Sequence, residues 1–236
     1  QYIFVIPIGI VDIIDLTYTD RRPIFPIRTG RRTAAGGVIA MNRLQQLRDG
    51  VRRAYSAAAE RPQDNHPFPV GRHFAESVGY LQDLLTRLPS ASVDAFSGVS
   101  SVAVFADIPV DATILDLGCG AGLDSLIAAW RTGPKGNVIG VDFSDAMLGR
   151  ARQAAAEVGI DNVEYYEADA EKLPIEDGSV DVALVNGIFN LNPARGEIFR
   201  ELARVVKQGG TVYAAELILR EPLPPEIQDS ATNWFA

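Results

Sequence analysis

Residues Thr113 to Gly122, TILDLGCGAG, run an apolar strand into Asp116 and then into three glycines, Gly118, Gly120 and Gly122, with Cys119 between the first two. Glycine tolerates positive φ and lets backbone amides approach a ligand at the start of the next helix, which suits a cradle for a nucleoside cofactor. A dinucleotide fingerprint G-x-G-x-x-G begun at Gly118 requires a third glycine at position 123, and that position is Leu123. Twenty-two residues beyond Gly120 the run Asn137 to Val141 ends in Asp142, where a carboxylate can accept from both ribose hydroxyls. Met147 falls in the first turn of the following helix and can touch adenine; after the strand Val163 to Glu167, Asp169 can accept from an adenine amino group and Ala170 leaves room for the ring. Each has a structural alternative: a plain glycine turn, a helix-preceding cap at Asp142, a core filler at Met147, a solvated turn residue at Asp169. Cys119 reads as a small filler of the turn rather than a nucleophile.

These residues need a βαβ frame. Leu123 to Arg131 reads as the helix after the glycines; Ser144 caps a second helix, Asp145 to Val158, which Gly159 stops. A strand Val180 to Val185, a helix Gly196 to Lys207, the turn QGG and a strand Thr211 to Leu217 follow. Upstream, Leu44, Leu47, Val51, Tyr55 and Ala58 share one face of a helix opened by Met41, and Val78, Leu81, Leu84, Leu85 and Leu88 predict a second helix over Phe74 to Leu88. The loop between carries three prolines, His66 and His73; ordinary loop histidines are expected there and no metal site.

DLGCGAG resembles the first motif of the class I S-adenosylmethionine-dependent methyltransferases, VDFS their ribose-binding acid and EADAEKLP their adenine-side motif. NGIFNLNP and the QGG turn are similar to the family's next segments. The resemblance implies an α/β, Rossmann-like, mostly parallel sheet with a helical N-terminal cap. It also implies S-adenosyl-L-methionine as cofactor, with S-adenosyl-L-homocysteine as product. The implied cofactor contacts are Asp116, Gly118, Cys119, Gly120, Gly122, Asp142, Phe143, Met147, Asp169, Ala170, Asn186 and Gly187. VRRAYSAAA, AESVGY, AFSGVSSV, GAGLDSLIAAWRTGPKGNVIGVDFSDAML and VNGIFNLNPARGEIFRELARVVKQGG are similar to the arsenite methyltransferase branch. Those enzymes hold trivalent arsenic through several thiolates, whereas this chain has one cysteine, so arsenite is not the expected substrate.

The reading is a small-molecule methyltransferase acting by in-line transfer. If the acceptor is a hydroxyl or amine it needs a base, for which Glu216, Tyr55 and His73 are candidates; a soft thiolate or metalloid needs none. The alternatives are a truncated cofactor-binding module without activity that dimerises, and an NAD-dependent oxidoreductase, disfavoured by Leu123. The expected division is an extension (1–40), a helical cap on the substrate side (41–105), the cofactor core (106–220) and a tail (221–236). The family's C-terminal strands after Thr211 to Leu217 look missing, which leaves an edge for a second copy of the chain or for the apolar segment Tyr2 to Leu16.

The chain has 236 residues, 47% of them apolar, and a net charge of −8, which supports a full core and argues against nucleic acid as substrate. Residues 20 to 53 nevertheless hold nine arginines against two aspartates, a pattern read as a solvated arm. A lone cysteine fits a reducing cytoplasm, and no apolar run is long enough to span a bilayer. Tyr2 to Ile10 is apolar but short and lacks a basic leader, so it does not read as a signal peptide.

Overall fold

The computed structural model describes residues 2–7 and 34–217, with side chains from Gln45 onward. In chain order the elements are β1 (Tyr2–Pro7), α1 (Ala34–Glu60), α2 (Arg72–Ser77), α3 (Gln82–Thr86), α4 (Ser90–Val93), α5 (Val102–Phe105), β2 (Thr113–Leu117), α6 (Leu123–Thr132), β3 (Asn137–Asp142), α7 (Asp145–Glu157), β4 (Val163–Glu167), β5 (Val180–Asn186), α8 (Arg195–Val205) and β6 (Val206–Glu216). The six strands form one sheet in the order β1-β6-β5-β2-β3-β4. Strands β2 to β6 run parallel, and β1 pairs antiparallel with β6 from Tyr2 opposite Glu216 to Pro7 opposite Thr211.

Alternation along the central strands splits the core in two. Ile114, Val182 and Leu184 face a cluster with Leu126 and Ile127 of α6, while Leu115, Ala183 and Val185 face one with Ile198, Leu202 and Val205 of α8. Successive side chains of a strand point to opposite faces, so a sheet covered on both sides needs apolar residues at nearly every position, as TILDL and VDVALVN supply. The Rossmann-like, mostly parallel sheet is the expected one. Strand β4 is the edge and is correspondingly half-exposed along VEYYE.

Several expectations change. The helix predicted over Phe74 to Leu88 is two short helices, because Gly79 takes φ +109 and turns the chain so that Tyr80 is buried. The helix expected from Met41 begins at Ala34, which puts the 40/41 boundary inside α1. The QGG turn is an excursion within β6: Val206 lies opposite Val180 and Thr211 opposite Val182, so Lys207 to Gly210 leave the ladder. Of the two occupants expected for the edge of β6, it is the apolar N-terminal segment that pairs there, as β1, which removes the free ladder that a homodimer through that edge would use. The rest of the segment to Leu16, most of the arginine-rich arm and the tail from 218 lie outside the described residues. Among the described residues no helix is long and apolar enough to cross a membrane.

Candidate functional site

A cavity of about 350 Å³ opens at the C-terminal ends of β2, β3 and β5 and reaches the segment after β4. Parallel α/β sheets leave their binding crevice there, because the strands end in loops that part toward opposite faces. The floor is the glycine loop. Gly118 has φ +73, and a Cβ on it would lie 2.3 Å from Ile188 Cγ2, so only glycine lets the 187–192 segment close over the loop. Gly118→Ala is expected to lower the melting temperature by at least about 3 °C, from backbone strain of roughly 1–3 kcal/mol; a thermal scan identical to the parent would show that the loop relaxes without cost.

Ten of the twelve expected cofactor contacts line this cavity: Asp116, Gly118, Cys119, Gly120, Asp142, Phe143, Asp169, Ala170, Asn186 and Gly187. Gly122 and Met147 do not. Gly122 is the N-cap of α6 against Ala151, and Met147 is buried in a small cluster with Ala58, Ala59, Ala95 and Ala121. Asp142 sits at the tip of β3 and ties two loops together: Oδ2 accepts from Gly120 N at 2.9 Å and Oδ1 from Ser144 N at 2.9 Å. Burial pushes its carboxyl up to about 6 despite those amides. Ser144 caps α7 as expected, accepting from Met147 N.

Asn186 is spent on the protein itself. Its Oδ1 accepts from Val99 N at 2.8 Å and Ser100 N at 3.1 Å, and its Nδ2 donates to Ser100 O at 2.7 Å and Asp124 Oδ2 at 2.9 Å. It thus clamps the segment between α4 and α5 to the cavity. Burial pushes the Cys119 thiol well up, and the Asp116 and Asp142 carboxylates add to this, so it stays protonated.

The three base candidates meet different fates. Tyr55 lines the cavity, stacked on Phe68 at 4.3 Å, and burial raises its phenol further out of reach of neutral pH, with Asp142 and Glu216 adding to the shift. Glu216 is buried outside the lining; its Oε2 accepts from Phe189 N at 2.7 Å and Asn190 N at 3.3 Å, bracing the loop after β5. His73 is exposed on α2, away from the cavity. His66, the other loop histidine, contacts Arg61 O at 2.9 Å.

The sequence reading missed three contributions. Asp124 lines the cavity from the first turn of α6, buried, its Oδ1 accepting from Tyr80 Oη at 2.5 Å and Ala103 N at 3.1 Å. Its signal was its place directly after the glycine motif, where an aspartate also reads as an ordinary helix start. Asp116, eight residues earlier, accepts from Ser125 Oγ at 2.5 Å. Burial first, then the Asp124 carboxylate, pushes Asp116 up, and burial does the same to Asp124. Second, α1 roofs the cavity through Arg48, which pairs with Glu171, and Arg52, which reaches Asp169 Oδ1 at 3.2 Å and lies 5.5 Å over the Phe143 ring. These two arginines stood in the arm read as solvated. The third is Ser92 of α4.

The family model described as "Methyltransferase domain" matches residues 109–235. The chain belongs to that family. It has the class I fold near the arsenite methyltransferase branch, and the cofactor this implies is S-adenosylmethionine. It is similar to an arsenite methyltransferase of Halobacterium salinarum, 34% identical over 69% of this chain and 42% of the relative. It is also similar to a demethylmenaquinone methyltransferase of Lactococcus lactis subsp. lactis, 38% identical over 44% of this chain and 41% of the relative. The chain therefore spans about two fifths of the length of these curated relatives. Among solved structures, an arsenic (III) S-adenosylmethionine methyltransferase from Chlamydomonas reinhardtii matches with a TM-score of 0.51 and 26% identity, over 68% of this chain and 53% of that one.

The cavity suits that cofactor. Asp116, Asp124 and Asp142 are all buried at its wall, and among the described residues none of them forms an ion pair with a lysine or arginine. Asp116 and Asp124 are held by hydroxyl and amide donors, and Asp142 by backbone amides with the Arg52 charge acting on it as well; buried carboxylates without a paired cation match a ligand that brings its own positive charge, as a sulfonium and an α-ammonium do.

Proposed function

We propose that this methyltransferase-family chain binds S-adenosylmethionine in the cavity and transfers its methyl group to a small molecule. The observation that carries the reading is the trio of buried carboxylates at the wall of a cavity of about 350 Å³. That volume lies within the usual range of roughly 300–1,000 Å³ for small-molecule ligand sites. The bound cofactor supplies an electrophilic methyl group on a cationic sulfur. Asp142 holds the ribose through the lone pairs left free by Gly120 N and Ser144 N. Phe143, Asp169 and Ala170 bound the adenine side, and the glycine loop lets the backbone approach the ligand. Helix α1, pinned by Arg48 and Arg52, shields the reacting atoms from water, and the cap from α1 to residue 105 shapes the acceptor side. In-line transfer then depends on alignment at near-attack distance, not on a covalent enzyme intermediate.

The three base candidates support an acceptor that needs no protein base. Tyr55 stays protonated, Glu216 is committed to the loop it braces, and His73 is remote. The chain's acidic charge and single cysteine support a cytoplasmic setting without nucleic acid as substrate. Titration calorimetry with S-adenosylmethionine, S-adenosylhomocysteine and NAD tests the cofactor, followed by transfer of a radiolabelled methyl group to a panel of small acceptors. NAD binding in place of S-adenosylhomocysteine overturns the reading; cofactor binding with no transfer to any acceptor favours a binding module instead.

Arsenite transfer is not expected of this chain. A three-sulfur site needs thiolates, and the one cysteine is buried and protonated in the cofactor loop. Trivalent arsenic is expected to bind weakly at most, and tight stoichiometric binding that survives Cys119→Ser would refute this.

A further inference from the structure

Helix α1 is held in different ways on the two sides of Gly50, which lies in its interior. Beyond that glycine Val51, Ala58 and Ala59 are buried and Tyr55 stacks on Phe68. There Ser56 Oγ also lies 2.9 Å from Ser144 Oγ, and Arg150 of α7 donates to Ala59 O. Before it none of residues 45–49 is buried, and Arg48 reaches the core through its ion pair with Glu171. A glycine inside a helix weakens it relative to alanine, so α1 yields most easily where its two kinds of attachment meet.

That junction stands at the mouth of the cavity. Of the residues lining it, Gln45, Arg52 and Asp169 are exposed, and all three lie where α1 faces the segment after β4; the rest of the lining is buried or half-buried. Arg48 and Glu171 line the same seam. Their side chains are 38% and 14% exposed, so the pair is partly solvated and breaks far more readily than the apolar contacts beyond Gly50.

We infer that Arg48 and Glu171 are the latch of a gate: α1 bends at Gly50, the part before it lifts from Glu171, and the cofactor enters and leaves between Arg48 and residues 169–171. The inference rests on the cofactor reading above and adds to it a route and its control. A gate differs kinetically from a fixed wall. A weaker latch raises the open fraction of the free and the bound protein alike, so association and dissociation quicken together and affinity holds. Loss of a residue that only touches the ligand lowers affinity, mainly through faster dissociation.

Surface plasmon resonance with S-adenosylhomocysteine over the immobilised full chain tests this. Arg48→Met is expected to raise both rate constants roughly two- to fivefold, with Kd within about twofold of the parent. Arg48→Glu combined with Glu171→Arg should restore the parent rates, because the pair is remade with its charges exchanged. Gly50→Ala, which stiffens the hinge, should lower both rates. Between about 0.05 and about 0.5 M salt both parent rates should climb as the latch is screened, and those of Arg48→Met should climb less. Unchanged rates in Arg48→Met, or faster dissociation alone with affinity falling in step, overturn the gate. A parent that does not bind S-adenosylhomocysteine overturns the cofactor reading itself, so the two failures are distinguishable.

Discussion

Asp142→Ala is expected to weaken S-adenosylhomocysteine binding by roughly a hundredfold or more. Two charge-assisted hydrogen bonds to ribose hydroxyls contribute about 1.5–3 kcal/mol each before any change in the protein. The substitution also frees Gly120 N and the turn at Ser144, both pinned by the carboxylate, so the loop that receives the ligand loses its anchor. Calorimetric affinity within threefold of the parent would remove Asp142 from the site.

The same residue predicts a pH dependence. Burial raises the carboxyl from 3.8 to about 6 in the free protein. Ribose hydroxyls donate to the ionised form, so affinity should climb as pH rises from about 5 to about 6.5 and then level off. Stability runs the other way for this group: its folded pKa exceeds its unfolded one, so the unfolded chain binds fewer protons in that interval and the contribution is lost as pH rises through about 6. Asp116 and Asp124 are pushed in the same direction, and the difference between the parent and Asp142→Asn isolates the one residue. Parallel affinity profiles for the two proteins would show that the titration belongs elsewhere.

The sheet was legible because each central strand is a short apolar run ending at a turn or cap. Val163 to Glu167 has the expected limits, and the helices after the glycines and after Ser144 differ from expectation by one residue at their C-terminal ends. The cap beyond α1 was less legible, because α2 to α5 are only four to six residues long and follow tertiary contacts rather than periodicity. Tyr80 shows why: its place in the sequence suits a helix, but its hydroxyl is held by Asp124, 44 residues away. Of the site, the loop glycines and Asp142 announced themselves by spacing. Ser92 and Asp124 did not, since a serine or aspartate in a helix's first turn reads first as a helix signal. Asn186 was visible as a position, but its role as a clamp depends on Val99 and Ser100, 86 and more residues earlier in sequence.

The antiparallel β1 offers the second large effect. Sequence left the edge of β6 to a second chain or to the apolar N-terminal segment, and the register puts Tyr2–Pro7 along Thr211–Glu216. Deleting residues 1–10 exposes that ladder. At about 0.5–1.5 kcal/mol net per backbone hydrogen bond, the lost pairing amounts to several kcal/mol, and at roughly 2–4 °C per kcal/mol the melting temperature should fall by about 10 °C. The bared edge also presents unpaired amides beside Val212 and Ala214, which favours association through a new strand pair. Light scattering should therefore report a concentration-dependent rise in mass for the deletion but not for the parent. Cofactor affinity measured below the transition should change little, because β1 is separated from β2 by both β6 and β5. An unaltered melting temperature with an unchanged mass would mean that β6 holds its place without β1.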